Sequence, residues 1–316
     1  MTFDLTIVMY HYVRDLERTR FPNIKGRRTA EFRSQLEYLR RHYYLVTMEE
    51  VVHAERTGDP LPKNAALMTF DDGYLEHFTT CFPILFDAGI QGSFFPPVAP
   101  VVRSELLDVN RVHFLLAVAD PAQLAQNIDE NVRRYANEYS LPSPEIYWAD
   151  WAKASRFDIA DVVYVKRMLQ VALPEVLRNK IAKDLFSRYV SEDEASFASE
   201  LYATEDQFRV MQSSGMYVGA HGDSHYWLNS VNHDVQADEI EGSLGFLRRV
   251  GSPIEDYWVM CYPYGAWDAP LLETLEEYNC TLGFTTEPRV ARLGEENPLL
   301  LPRLDTNDLA LRSSLD

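Results

Sequence analysis

Basic residues are scarce in this chain. Its 316 residues carry 30 Lys and Arg against 48 Asp and Glu, a formal net charge of −18. Nucleic-acid grooves need clustered cations to meet the phosphates, so that class of partner is excluded, and the acidic surface serves mainly solubility. Cysteine is also sparse. Cys81, Cys261 and Cys280 are an odd number at wide spacing, which fits neither a disulfide framework nor a CxxC metal site and leaves buried reduced thiols. The start of the chain lacks a long apolar run: Met1-Thr2-Phe3-Asp4 contains no basic residue, and the apolar stretch 5–10 is too short for a signal peptide or a membrane span. The expectation is a cytoplasmic protein without a membrane span. Internal repeats and low-complexity segments are missing as well.

What is there suits a large packed core, with 46% hydrophobic residues. Short apolar runs rich in β-formers lie at 5–10, 65–70, 92–95, 216–220, 257–262 and 280–285, and amphipathic helical patterns separate several of them. Thr29 is placed to cap a helix with Phe32, Leu36 and Leu39 on one face. Thr47 with Glu50, and Thr204 with Gln207, have capping-box spacing. Strand and helix in alternation imply a parallel sheet, and the number of strands suits an α/β barrel, closed or nearly so. Residues 103–203 break the rhythm with helix after helix, Leu177, Ile181 and Leu185 setting one apolar face. The expected organisation is one barrel domain over 1–316 with a helical insertion at 103–203, a lid or subdomain.

Three strand ends carry residues able to do chemistry. Thr69-Phe70-Asp71-Asp72-Gly73 follows an apolar run; it is either an ordinary Asp-Gly turn or a pair of carboxylates delivered to the mouth of a barrel. Two carboxylates that close repel each other unless a cation stands by. His221-Gly222-Asp223-Ser224-His225 follows another run, and two imidazoles four residues apart can face the same way on a helical turn and share a metal ion with a carboxylate; each histidine alone would as readily be structural. Tyr262-Pro263-Tyr264-Gly265 closes a third run, as a plain turn or as a source of backbone N–H groups for a reacting carbonyl.

In this order and at these strand ends, the three motifs resemble the polysaccharide deacetylase family, also called the NodB-homology family or carbohydrate esterase family 4. The opening Met9-Tyr10-His11 is similar to the subgroup related to poly-N-acetylglucosamine deacetylases. The resemblance implies a distorted (β/α) barrel over residues 1–100 and 205–305, with 103–203 outside the common core. It implies Asp71 as catalytic base, Asp72, His221 and His225 as ligands of a divalent metal, and the backbone N–H of Tyr264 as a donor to the tetrahedral oxyanion. Zinc is the first expectation for a His₂Asp set, which also suits iron, cobalt or nickel. His11 is expected to face the site and bind substrate, and Tyr226, Trp227 and Trp267 are placed either to stack on a sugar ring or to pack in the core.

The chain departs from the family pattern twice. Cys261 and Tyr262 stand before Pro263 where relatives carry an Arg that pairs with the catalytic Asp, and no His follows His233 to serve as general acid. Arg303, in Leu301-Pro302-Arg303-Leu304-Asp305 after a final apolar run at 299–301, is the substitute partner for Asp71; it cannot be the acid, because a guanidinium has a pKa above ~12. The acid has no assignment from the sequence. The implied reaction is removal of an N-acetyl group from a sugar or surface-polysaccharide precursor, lipid-linked or nucleotide-linked, by a water that a divalent ion activates and Asp71 deprotonates. The alternatives are another amide hydrolase on the same fold, acting on a cyclic ureide or a formyl group, and a catalytically silent sugar-binding protein.

Overall fold

A computed structural model describes residues 3–155 and 158–309. Nine strands occur among them: β1 (Phe3–Tyr10), β2 (Tyr44–Leu45), β3 (Ala65–Asp71), β4 (Ser93–Phe95), β5 (Tyr217–Val218), β6 (Val259–Cys261), β7 (Leu282–Phe284), β8 (Ala291–Leu293) and β9 (Leu304–Asp305). β1 runs parallel to β3 over six residue pairs, from Leu5↔Ala65 to Tyr10↔Phe70, and β3, β4 and β5 follow in parallel. Ala220, just past β5, bridges Met260 of β6; β6 pairs with β7; Phe284 of β7 bridges Leu301. β9 then returns to β1 through Val8↔Leu304 and Met9↔Asp305. The ring is parallel throughout, and two of its joints are single bridges instead of ladders. The chain therefore forms the expected distorted (β/α) barrel.

Strand alternation divides the barrel core in two. Leu5 and Ile7, Ala65 and Leu67, Phe95, Tyr217, Val259, Cys261, Leu282, Phe284 and Leu301 gather in one buried cluster, joined by Met48, Val51 and Val52 of the helix Met48–Thr57. The intervening residues Val8, Tyr10, Met68, Phe70, Phe94, Val218, Met260 and Tyr262 pack with the apolar stripes of the helices, Phe32, Leu36 and Leu39 among them. Side chains two apart share a face of a strand, so the column Ala65, Leu67, Thr69 brings Asp71 to the same face.

The capping boxes Thr47–Glu50 and Thr204–Gln207 are present as expected. At the first helix, Thr29–His42, the N-cap is Arg28 and Thr29 is the first helical residue; Glu31 reaches back to the Arg28 N–H. The last apolar run is not a strand. Pro298–Leu300 forms a 3₁₀ turn because Asn297 caps it and Pro298, with its fixed φ, opens it, which leaves only Leu301 to bridge and moves the final strand to β9.

The described residues fall into two compact units, the barrel (3–15, 26–105 and 199–309) and a helical unit (16–25 and 106–198). Between 103 and 203 the described residues form no β-ladder; Tyr202 makes one bridge, to Tyr74. In the helical unit Leu177, Ile181 and Leu185 pack with Val112, Leu115 and Ile128. Residues 16–25, which sequence pattern gave to the barrel, contribute Phe21, whose ring meets Phe114 and Phe197 edge to face.

Candidate metal and catalytic site

Asp71, Asp72, His11, His221, His225, Tyr264 and Arg303 are gathered where the parallel strands end, the face on which barrel enzymes build their sites. Asp71 is the last residue of β3 and Asp72 the first beyond it. Continued alternation would turn Asp72 away, but its φ of 71° reverses the chain and brings its carboxylate to the same side, while its N–H still donates to the Phe95 carbonyl at 3.1 Å. The positive φ recurs at His225 (60°) and Tyr264 (58°), so three of the seven non-glycine residues in this region among those described belong to this site. Such conformations cost of order 1–3 kcal/mol each and persist where surrounding structure enforces them.

Asp72 and both histidines converge on one point. His221 Nε2 and His225 Nε2 lie 3.3 and 3.2 Å from Asp72 Oδ1, an oxygen that is buried and accepts no hydrogen bond; the other oxygen accepts from the Tyr74 hydroxyl at 2.7 Å. His221 Nδ1 donates to the Cys261 carbonyl at 2.7 Å, so that in the neutral ring the Nε2 lone pair faces Asp72. The three ligand atoms are mutually within 4.8 Å. An orphaned carboxylate oxygen facing two imidazole nitrogens is a donor set for a divalent cation, and the residues fit one. The histidines do not sit on a helical turn as expected: β5 stops at Val218, and Gly222, with φ 74°, starts a loop that carries both rings inward.

Arg303 is buried to 1% exposure. It holds Asp71 in a fork, Nη1 donating to Oδ1 at 2.9 Å and Nη2 to Oδ2 at 2.7 Å, while Nε donates to the Thr285 carbonyl and Nη1 also to the Thr69 hydroxyl. The expected pairing is thus what the structure contains, in the bidentate geometry that Arg alone provides. Burial by itself would raise the Asp71 carboxyl; the charge and hydrogen bonds of Arg303 outweigh it and hold the pKa below the usual carboxylate value. Asp72 is drawn well below it in the same balance, with His221 and His225 opposing burial. Burial disfavours charge on the imidazoles too. At His221, Cys261 and Asp72 prevail and hold its pKa well above the ordinary value, whereas burial wins at His225. Arg303 thus balances the charge of Asp71, and a divalent ion held by Asp72 would balance the second carboxylate.

His11 follows β1, with 39% of its side chain exposed and Nε2 3.9 Å from Asp71 Oδ2. Its carbonyl accepts from His77 Nε2 at 2.9 Å; burial pushes the His77 imidazole down to about 4, so this donor is neutral. Tyr264 packs edge-on against His225 and stacks on Trp227 with ring centroids 4.5 Å apart, and its carbonyl accepts from the Thr286 hydroxyl. One face of Trp227 is therefore occupied, and Tyr226 lies half-buried against the main core. Trp267 is 40% exposed and lines a groove of about 540 Å³ with Gly265, Thr286, Glu287 and Asn297.

Tyr74 and Glu239 escaped the sequence reading. Tyr74 adjoins the Asp-Asp-Gly motif and had a positional signal. Glu239 had a fainter one: with Gln236 and Ser243 it puts polar groups on the buried face of an amphipathic helix.

The polysaccharide deacetylase family model matches residues 185–283, a stretch that contains His221, His225 and Tyr264 and leaves Asp71, Asp72 and Arg303 outside. The poly-beta-1,6-N-acetyl-D-glucosamine N-deacetylase of Escherichia coli (strain K12) is 44% identical over 59 residues, which is 18% of this chain and 9% of that protein; the match spans only a small part of that relative. Among solved structures, the Streptococcus pyogenes deacetylase PplD superposes with a TM-score of 0.58 at 16% identity over 96% of this chain and 93% of the other. IcaB from Ammonifex degensii does so at 0.57 and 19%, over 99% and 94%. At these identities the superpositions speak for the fold. The chain therefore shares the barrel fold of these deacetylases, and part of it, residues 185–283, matches the polysaccharide deacetylase family model.

Proposed function

We propose that the protein is a metal-dependent hydrolase that removes N-acetyl groups from a glucosamine-containing saccharide. The observation that carries this reading is the pairing, at adjacent residues, of an Arg-held carboxylate with a carboxylate that shares its orphaned oxygen with two histidines. Asp72, His221 and His225 would hold the ion, which when bound lowers the pKa of water toward about 7 and polarises the acyl oxygen. Asp71 stays ionised through Arg303 and keeps lone pairs beyond the two that the guanidinium uses, so it accepts the proton of the water that attacks the acetyl carbon. The N–H of Tyr264, presented by its left-handed turn, is assigned to the developing oxyanion.

Collapse of the tetrahedral adduct breaks the C–N bond, and the amine needs a proton as it leaves. His11 is assigned this role. It is half-exposed at the mouth, stands beside Asp71 and belongs to the residue type most often used for proton transfer near neutral pH; its carbonyl is anchored by His77. The acid without an assignment in the sequence thereby gains one from the end of β1, far from the late segment where a His was sought. The groove along Trp267 offers an aromatic face and hydroxyl and amide partners for neighbouring sugar units.

Acetate release from β-1,6-linked N-acetylglucosamine oligomers, with the metal-loaded protein and after chelation, tests the proposal. Release that stops on chelation and returns with zinc or cobalt supports it. Turnover of a cyclic ureide or a formyl amide without acetate release would move the activity to another amide, and saccharide binding without turnover would leave a binding protein.

A further inference from the structure

The loop that carries both histidines is held from two sides, and one of the holders is a buried carboxylate that no cation pairs among the described residues. Glu239 sits in the helix His233–Val250 at 4% exposure. Its Oε2 accepts from the Asp223 N–H at 2.8 Å and the Ser224 N–H at 2.9 Å, and Oε1 from the same Ser224 N–H at 3.0 Å. On the other side the Val98 and Ala99 N–H groups donate to the carbonyls of Gly222 and Asp223 at 3.2 and 2.8 Å. Arg103 grips the Asp223 carboxylate with both terminal nitrogens. The peptide groups linking the two histidines are thus fixed in both donor and acceptor directions.

Two glycines show that this fit is close. A Cβ on Gly222 would stand 2.7 Å from Glu239 Oε2, and one on Gly242 would stand 3.1 Å from the Asp223 Cβ. A carboxylate out of water and unpaired with a cation is costly. Burial raises the Glu239 pKa, and the loop N–H groups oppose that rise. An apolar residue here would leave the Asp223 and Ser224 N–H groups without their acceptor. A charged acceptor for two adjacent N–H groups has a specific use: it sets the backbone turn that aims His221 and His225 at one point.

We propose that Glu239 is the positioning residue of the metal site, acting through the 222–224 backbone to preorganise both histidine ligands. This rests on the metal reading above. The test is cobalt and zinc affinity of the full-length protein, by competition with a chromophoric chelator, for wild type, Glu239→Gln and Glu239→Ala. Each is accompanied by the melting temperature of the metal-free form and the near-ultraviolet circular dichroism. Outer-shell partners of metal ligands are worth about 10–100-fold in affinity, so Glu239→Ala should weaken binding by that much. Glu239→Gln, of equal size with one amide oxygen still able to accept, should fold like wild type and bind with intermediate affinity. Bound cobalt should show altered visible absorption in both, a signature that lost packing alone would not move. If the Gln variant binds both metals as tightly as wild type with an unchanged cobalt spectrum, the inference is overturned, whatever happens to the melting temperature. If wild type itself binds neither metal, the metal reading fails first.

Discussion

At the scale of single residues, the site works by opposing burial with specific charges. As the proposed base, Asp71 has to be ionised to act, and Arg303 opposes the burial that would protonate it. Replacing Arg303 by Ala removes the group that outweighs burial, so the Asp71 pKa rises. A base must be deprotonated to act, and the acid limb of kcat/KM against pH should therefore move to higher pH. Arg303→Lys, which keeps the charge and loses the fork, should shift it less. Metal content should not change in either. A limb that stays in place in Arg303→Ala would reject the pairing as catalytic. His11 answers to a different measurement. Its removal should cost about 10²–10⁴-fold with an N-acetyl amide, whose amine must be protonated, and far less with an aryl acetate, whose phenolate leaves without help. Equal losses on the two substrates would place His11 in binding instead.

At the scale of elements, β3 joins core and chemistry. Its inward residues Ala65 and Leu67 bury against the barrel interior and end in Thr69 and Asp71. On its outer face Phe70 stacks between Tyr10 and Phe94, with centroids 5.1 and 4.7 Å away, and meets Phe32 edge-on. Loss of that ring opens a cavity among residues with no exposed surface to relax into. Phe70→Ala should cost about 3–5 kcal/mol, read as a lower denaturation midpoint in urea. The same strand shows why six strands were legible in advance and three were not. Apolar runs of four to six residues announce those six, whereas Arg292 interrupts β8, Asp305 ends β9, and β2 pairs over only two residues just past a helix. The 3₁₀ turn at Pro298–Leu300 was hidden for a related reason: an apolar triplet has no period, and Pro298 decided it.

At the scale of the whole molecule, the proposed metal site ties distant parts of the barrel, since residues 72, 221 and 225 reach one point only when the ring has closed. A ligand that binds the folded form alone stabilises it by about 2.7 kcal/mol at a hundredfold excess over its dissociation constant. Zinc should raise the melting temperature of wild type and leave His225→Ala unmoved; equal rises in both would put the ion elsewhere. Acid should act on the same region. Asp71 and Asp72 have pKa values depressed by folding, so their contribution is present above the ordinary carboxylate value of about 3.9 and is lost as pH falls through the depressed ones. Metal-free Asp71→Asn should accordingly lose less stability on acidification than metal-free wild type, which urea midpoints at a series of acidic pH values would measure.

The barrel class, the two carboxylates, both histidines and Arg303 were legible in the chain because each depends on local order: an apolar run, then a polar motif where a parallel strand must end. The partner of Asp71 could be nominated by charge balance, since a buried carboxylate pair needs a cation and Arg303 follows the last apolar run. Tertiary structure alone decided the rest. It turned Asp72 inward through a left-handed φ, made the histidine pair a loop instead of a helical turn, and set His11 beside Asp71 across a strand order that local pattern does not encode. It also brought Glu239 beneath the histidine loop. A carboxylate in mid-helix has the same sequence signature whether it faces water or two buried N–H groups, and only the packing of one element on another distinguishes the two.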